Sequence, residues 1–136
     1  MSKSKPNLLE QIKQATDGLI YMSENQYPLK PFHLEVKGKT TITGKDILKA
    51  TKHSTASPIE PFDFDNFFLN STQEQDWHSP EEKKSVKQYQ QLVRLLKKNL
   101  SDLQVFKVGK TEMDVYVVGK SESGEFLGLS TKVVET

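Results

Sequence analysis

The sequence contains no cysteine, which excludes both disulfide bonds and metal sites built on thiolates. A chain of 136 residues buries roughly two thirds of the surface that its unfolded form exposes, so it can fold around a core without cross-links. The lack of cysteine suits a reducing compartment. We therefore expect one domain, residues 1–136, in the cytoplasm.

Long apolar runs are also missing. No stretch approaches the roughly 18 consecutive apolar residues of a membrane-spanning helix. The basic N-terminus is not followed by the apolar segment of a signal peptide, because Glu10, Lys13 and Asp17 interrupt it. We expect a protein with no membrane partner.

An excess of charge of one sign is absent as well. Lys and Arg number 19 against 18 Asp and Glu, a net charge of +1, and this argues against general nucleic-acid binding. The lysines crowd the stretch from Lys83 to Lys98, where they occupy positions left over by an apolar helical stripe. The one aromatic residue among them, Tyr89, belongs to the apolar stripe, so no series of aromatic residues interleaves with the lysines as it would in a single-strand binder. We interpret this stretch as a solvated helix face and expect no nucleic-acid partner.

The motifs of common catalytic and metal sites are missing too. His33, His53 and His78 stand far apart without metal-ligand spacing, and neither H-E-x-x-H nor G-x-S-x-G occurs. Asp63 and Asp65 could share a metal, although one of them serving as a helix N-cap is the commoner use of such a pair. A small hydrolase built on Asp63, Asp65 and His53 is the enzymatic alternative. We predict a non-enzyme that is isolated without cofactor or metal.

Apolar periodicity and cap residues predict the helices. The clearest helix begins after Ser79, an N-cap, with Pro80 in the first helical position and Glu82 completing a capping box. Helices are predicted over residues 8–17, from 43 or 44 to 50, over 65–69 and over 80–100.

Alternation of apolar and polar residues predicts strands. The successive strand patterns joined by short turns favour antiparallel pairing, so we expect one mainly antiparallel sheet packed by helices. Two polar or proline-containing stretches, residues 23–28 and 54–61, are expected to be loops. Strands are predicted around residues 32–36, 105–108, 115–118 and 126–134.

Five segments together resemble one protein family, the nuclease A inhibitors of cyanobacteria. They match in order and at the family's spacing, and they span nearly the whole chain. The segments are Leu9-Glu10-Gln11 with Gln14-Ala15, residues 17–28 from Asp-Gly-Leu to Tyr-Pro, Gln75-Asp76-Trp77, residues 113–117, and the ending from Ser130 to Thr136.

The resemblance implies a three-layer α/β/α sandwich with a mainly antiparallel sheet, like that of the pathogenesis-related proteins of plants. It implies a monomer that inhibits a sugar-non-specific nuclease of the ββα-metal type in a one-to-one complex. That target carries a D-R-G-H motif, which this sequence lacks. The family's contact positions fall on Glu24, Gln75, Asp76, Trp77 and Thr136. Thr136 is implied to reach the metal of the bound nuclease in trans, and no other metal contact is implied.

These residue types suit such an interface. Carboxylates can stand where a nuclease binds phosphates, Glu24 can pair with an arginine, and a terminal carboxylate with a hydroxyl suits the oxygen-seeking Mg²⁺. Trp77 either serves as an interface hot spot or caps the core beside Pro80. The family member that this chain resembles is distinctly acidic, whereas this chain has a pI of about 7.9, so electrostatic steering should be weaker. The alternative function is a non-catalytic module that binds another basic protein.

Overall fold

A computed structural model describes residues 8–22, 26–34, 42–53, 56–122 and 124–134. In this part of the chain it contains a five-stranded sheet, a separate two-stranded hairpin and several helices. The helices are Leu8–Thr16 (α1), Gly44–Ala50 (α2), Phe64–Phe68 (α3) and Pro80–Asn99 (α4), with a 3₁₀ turn at Asn70–Thr72. The strands are Ile20–Met22 (β1), Gln26–Pro28 (β2), Lys30–Leu34 (β3), Ile59–Phe62 (β4), Ser101–Val108 (β5), Glu112–Lys120 (β6) and Phe126–Val134 (β7).

The larger sheet has the strand order β3-β7-β6-β5-β4. All pairs of adjacent strands in this sheet are antiparallel, which confirms the predicted pairing. Strands β5, β6 and β7 follow one another as hairpins and form its centre, whereas β3 and β4 are the edges. Pro61 lies in β4, where the missing N–H costs no ladder hydrogen bond on the free side of an edge strand.

One hydrophobic cluster joins α1, α3 and α4 to the sheet. On β6 it takes Met113, Val115 and Val117, which alternate along the strand and therefore share one face. Helix α4 contributes the fully buried Leu92 and Leu96. The remaining buried members are Ile12, Leu19, Leu29, Phe64, Phe67, Phe68, Tyr89, Leu100, Val105, Leu127, Leu129 and Val133.

A second cluster joins α2 to the sheet. Tyr116 and Val118, the intervening residues of β6, belong to it together with Ile47 and Leu48 of α2. Apolar side chains on both sets of alternating positions explain why β6 reads as a nearly continuous hydrophobic run in the sequence. The other buried members are Leu34, Ile42, Phe106, Val108 and Phe126.

The four predicted helices are confirmed to within a residue or two. Helix α4 has the predicted capping box, in which Ser79 and Glu82 bond each other's backbone N–H groups. Helix α2 has a second capping box between Thr43 and Asp46. Local sequence determines these helix starts, so they were accessible to prediction.

Two predicted loops are wrong in part. Residues Ile59–Phe62 form β4 and pair with β5, and Gln26–Pro28 form β2 and pair with β1. Both strands are short and carry a proline, so their local pattern indicated a turn, and only the partner strand makes them extended. Strand β3 begins earlier than predicted, at Lys30 opposite Ser130. Val36 lies outside the described residues.

Among the helices that the structure describes, none combines the length and the apolar character needed to cross a membrane.

Candidate functional site

The start of α4 lies at one end of the larger sheet. Asn99, at the end of α4, lies beside Leu127 near the start of β7, and Leu92 and Leu96 pack in the cluster that covers the sheet, so the helix runs along the sheet from that end. The helix N-terminus therefore lies toward the end of the sheet at which β5 ends, β6 begins and β7 ends. Glu112 at the start of β6 pairs with Val134 at the end of β7. We call this end of the sheet the Val134 end.

A tight turn at residues 75–78 precedes α4 and presents Trp77. The backbone N–H of His78 donates to the carbonyl of Gln75 at 3.1 Å, and the N–H of Gln75 donates to His78 Nδ1 at 3.0 Å. The Trp77 and His78 rings meet edge to face with centroids 4.4 Å apart. Trp77 is 75% exposed, so of the two alternatives left open for this residue, capping the core beside Pro80 is the one that the structure contradicts.

Both sides of this turn are anchored to α4. Upstream, the Gln90 side-chain amide donates to the carbonyl of Thr72 at 2.8 Å. Downstream, the N–H of Ser79 donates to Glu82 Oε1 at 2.8 Å, and the N–H of Glu82 donates to Ser79 Oγ at 3.2 Å. The bond from the Ser79 backbone, followed by that from its hydroxyl, lowers the pKa of Glu82 from its ordinary value. The turn thus projects from a fixed base.

Four carboxylates flank Trp77 in the sequence. Glu74, Asp76, Glu81 and Glu82 are all exposed and lie within a few residues of the indole, while Gln75 is an exposed polar neighbour. The first turn of a helix also favours negative charge, because its backbone N–H groups carry partial positive charge. This segment is therefore acidic although the whole chain is close to neutral.

Two predicted contact residues, Glu24 and Thr136, lie outside the described residues. The segments leading to them can be followed. Thr131 Oγ1 donates to the carbonyl of Pro28 at 3.0 Å, so β2 continues from β3 alongside the last part of β7. Because β3 is antiparallel to β7, the chain at Gln26 and the chain at Val134 both lead toward the Val134 end.

Helix α1 supports the same arrangement. The Gln88 side chain of α4 donates to the carbonyls of Ala15 at 3.2 Å and Asp17 at 2.8 Å. The C-terminus of α1 therefore lies against the N-terminal half of α4, and the hairpin of β1 and β2 follows directly. The described neighbours of all three predicted contact segments therefore lead toward the same end of the sheet.

The family model for nuclease A inhibitor-like proteins matches residues 6–136. The chain belongs to the nuclease A inhibitor-like family. This confirms the resemblance and implies a nuclease-inhibitor role. Among curated proteins, none matches the chain.

The hydrolase alternative finds no support in this nuclease A inhibitor-like protein, because its three residues do not meet. Asp63 accepts the N–H of Asn66 at 3.0 Å as the N-cap of α3, which is the structural use considered above. Asp65 pairs with Lys97 at 2.7 Å, and His53 lies elsewhere. Within the described ranges no group of three His, Cys, Asp or Glu side chains could hold a metal ion.

His53 belongs instead to a polar cluster that the sequence did not reveal. Its Nε2 lies 3.0 Å from the Tyr116 hydroxyl and 3.2 Å from Asp114 Oδ2. Burial, and to a lesser degree the Asp114 carboxylate, raises the pKa of Tyr116, opposed by a hydrogen bond with Thr51. The cluster ties the end of α2 to β6. No spacing rule links residues more than 60 positions apart, so only the fold assembles it.

The basic stretch of α4 faces solvent, as predicted. Lys84, Lys87, Arg94 and Lys98 are exposed. They lie on the helix side opposite the buried Leu92 and Leu96, and their spacing of three, seven and four residues keeps them on one face.

Proposed function

We propose that this protein inhibits a sugar-non-specific nuclease by inserting the turn at residues 75–78 into the nuclease cleft. The observation that carries the proposal is the exposure of Trp77, which is 75% exposed on a hydrogen-bonded turn between carboxylates. The chain that presents it matches the inhibitor family over residues 6–136. Glu24, Gln75, Asp76 and Thr136 complete the proposed contact surface.

An exposed tryptophan is the strongest part of this surface. Keeping so large an aromatic side chain in water forgoes the free energy of burying it, which is recovered when a partner covers it. Tryptophan is also enriched among residues whose truncation costs an interface 2 kcal/mol or more, on the order of a 30-fold change in Kd. The anchored turn adds preorganisation, because it leaves little loop entropy to lose on binding.

The carboxylates around Trp77 suit a cleft that binds polyanions. A nuclease holds phosphates with basic side chains and a divalent metal, and Asp76 and Glu74 offer negative oxygens in their place. Glu24 would pair with an arginine of the nuclease in a bidentate contact. Because the net charge is only +1, we propose that local rather than global charge orients the encounter.

The C-terminus supplies the proposed metal contact. Pairing with β6 holds β7 as far as Val134, and two residues follow. At about 3.3 Å for each extended residue, a two-residue extended segment would span roughly 7 Å. At its end the Thr136 hydroxyl and terminal carboxylate would complete the Mg²⁺ shell of a ββα-metal nuclease in a one-to-one complex, while the nuclease supplies the remaining ligands.

We also propose the three-layer α/β/α arrangement of the pathogenesis-related proteins for the whole chain. Support comes from the two hydrophobic clusters, one containing α1, α3 and α4 and the other containing α2. The two clusters use alternating residues of β6, which point to opposite faces of a sheet.

The test is a titration of a ββα-metal nuclease with three forms of the protein: intact, lacking Thr136, and extended by a C-terminal tag. Deletion moves the carboxylate back by about 3.3 Å and removes the hydroxyl, and the tag removes the free carboxylate. Both forms should inhibit more weakly than the intact protein with unchanged thermal unfolding. An N-terminally tagged protein is the control and should inhibit normally.

Three outcomes separate the possibilities. Weaker inhibition by both altered forms supports the metal contact. Equal inhibition by all forms would refute the metal contact and leave blockade by the Trp77 surface alone. Failure of the intact protein to inhibit such nucleases would refute the proposed function and favour a module that binds another basic protein.

A further inference from the structure

His78 is a titratable residue within the Trp77 turn. We propose that His78 is a positioning residue that holds Trp77 in its inhibitory orientation only while its ring is neutral, so that protonation of His78 weakens inhibition. This inference rests on the proposed function of the turn. Its basis is the geometry between Gln75 and His78.

The hydrogen bond at Nδ1 defines the protonation state of the ring. A backbone N–H can only donate, so His78 Nδ1, 3.0 Å from the Gln75 nitrogen, must present a lone pair. A neutral imidazole meets this requirement with its proton on Nε2. An imidazolium carries a proton on both nitrogens, so a donor would then face a donor and the bond would be lost.

The same residue closes the turn and supports the indole. The His78 N–H donates to the Gln75 carbonyl at 3.1 Å, which makes the contact between the two residues reciprocal. The His78 ring packs edge to face on Trp77 at 4.4 Å. Since Trp77 is 75% exposed, few other contacts limit its orientation, and movement of the His78 ring changes where the indole points.

The charges around His78 come from the turn and from α4. Glu74 just before the turn, Asp76 within it, and Glu81 and Glu82 of α4 are exposed carboxylates, and negative charge near a histidine favours the imidazolium. The N–H groups at the start of α4 oppose it, as does Lys83 in the same first turn of the helix. Glu82 faces His78 closely enough for the histidine charge to contribute to lowering the pKa of Glu82. Histidine side chains ordinarily change charge between about pH 5 and 8, so this is the pH range that the test covers.

The size of the effect depends on the fraction of molecules in which the Gln75 N–H is bonded to His78 Nδ1, which we call the closed turn. If protonation reduces this fraction to about a tenth, the apparent Kd for the nuclease rises about tenfold. We expect this rise between about pH 8 and pH 5.5, across the range in which histidine titrates.

Two substitutions separate positioning from mere structure. His78→Asn places a carbonyl oxygen near the position of Nδ1, so it accepts the Gln75 N–H and does not titrate. His78→Ala removes the acceptor. His33→Asn is the matched control, because His33 pairs with Glu125 at 3.7 Å near the opposite end of α4, beside Asn99.

Inhibition is measured as the ratio of each variant's Kd to that of the wild type at every pH, which cancels the nuclease's own pH dependence. We expect His78→Asn to become about tenfold tighter relative to the wild type at about pH 5.5 and to equal it at pH 8. His78→Ala should be weak at both, and His33→Asn should follow the wild type. Equal pH profiles for the wild type and His78→Asn would overturn the inference.

A measurement on the free protein makes failure of this inference distinguishable from failure of the proposed function. In NMR titrations the Gln75 amide and the indole of Trp77, the single tryptophan, should shift together with the His78 ring, and neither should shift this way in His78→Asn. A Gln75 amide that ignores His78 protonation would refute the positioning role. Coupled shifts without inhibition by any form would support it and refute the nuclease as partner.

Discussion

Two neighbouring stretches of the chain use aromatic residues in opposite ways. Residues 62–69 bury Phe67 and Phe68 to 2% exposure, with their rings 4.9 Å apart and Phe68 also packed on Tyr89 of α4. Residues 73–79 leave Trp77 at 75% exposure. Helix α4 serves both, since its apolar face receives the phenylalanines and its N-terminus anchors the turn. Residues that stabilise the core and residues proposed to bind the nuclease therefore occupy separate stretches in this part of the chain.

The largest expected effect is on the buried side of this comparison. Phe68→Ala should lower the free energy of unfolding by about 3–5 kcal/mol, because it removes a buried ring and leaves a cavity. Urea denaturation followed by circular dichroism measures this loss. Molecules of the variant that remain folded should still inhibit normally. A loss below about 1 kcal/mol would mean that residues 62–69 contribute little to the core.

Substitutions in the exposed turn should have the opposite result, a loss of binding without a loss of stability. Trp77→Ala should weaken nuclease binding by about 2 kcal/mol, roughly 30-fold in Kd, with unfolding free energy changed by no more than about 0.5 kcal/mol. Glu24→Ala should also weaken binding without unfolding the protein. A lower denaturant midpoint for both variants would show that these residues are structural and would remove the separation.

The junction between the two stretches should show an intermediate effect. Ser79→Ala removes the N-cap of α4 and should cost about 1 kcal/mol of stability. Ser79→Asp retains an acceptor and should recover most of it. The matched control is Ser85→Ala, at an exposed position within the same helix, where alanine is the better helix former. Equal losses at the two serines would contradict the capping role.

The smallest expected effect is a pH dependence at the same junction. The pKa of Glu82 is lowered from 4.5, so the folded state favours the carboxylate. Its contribution is present above about pH 4.5 and is lost as the pH falls through the lowered value. Thermal unfolding between about pH 6 and pH 3 should therefore depend more steeply on pH in the wild type than in Glu82→Gln. Glu81→Gln, which leaves the capping box intact, should follow the wild type.

Helix α4 and its cap were predictable because their determinants are local. Ser79, Pro80 and Glu82 lie within four residues, and the apolar stripe repeats at helical spacing. The central strands were likewise visible as apolar runs. Strands β2 and β4 were not, since their extended form depends on β1 and β5, which supply the hydrogen bonds that a proline-containing segment cannot provide alone.

The candidate site likewise has a part that could be predicted from the sequence and a part that could not. The segment Gln75-Asp76-Trp77 could be selected from the sequence by its resemblance to the inhibitor family. Whether Trp77 is buried or exposed could not, because the same residue suits a core and an interface. The hydrogen bond from Gln75 to His78 Nδ1 also had no signal in the sequence, since it depends on the backbone path of the turn.

The sequence by itself determined the helices, the central antiparallel hairpins and the family, because these follow from residue spacing within short windows and from matching segments in order. Tertiary structure alone decided which aromatic residues are buried, and that His53 meets Asp114 and Tyr116. It also decided that the turn of Trp77, the hairpin of β1 and β2 and the end of β7 all lead toward the Val134 end of the sheet. Those relations join residues distant in the chain, and packing, rather than local propensity, supplies the free energy that brings them together.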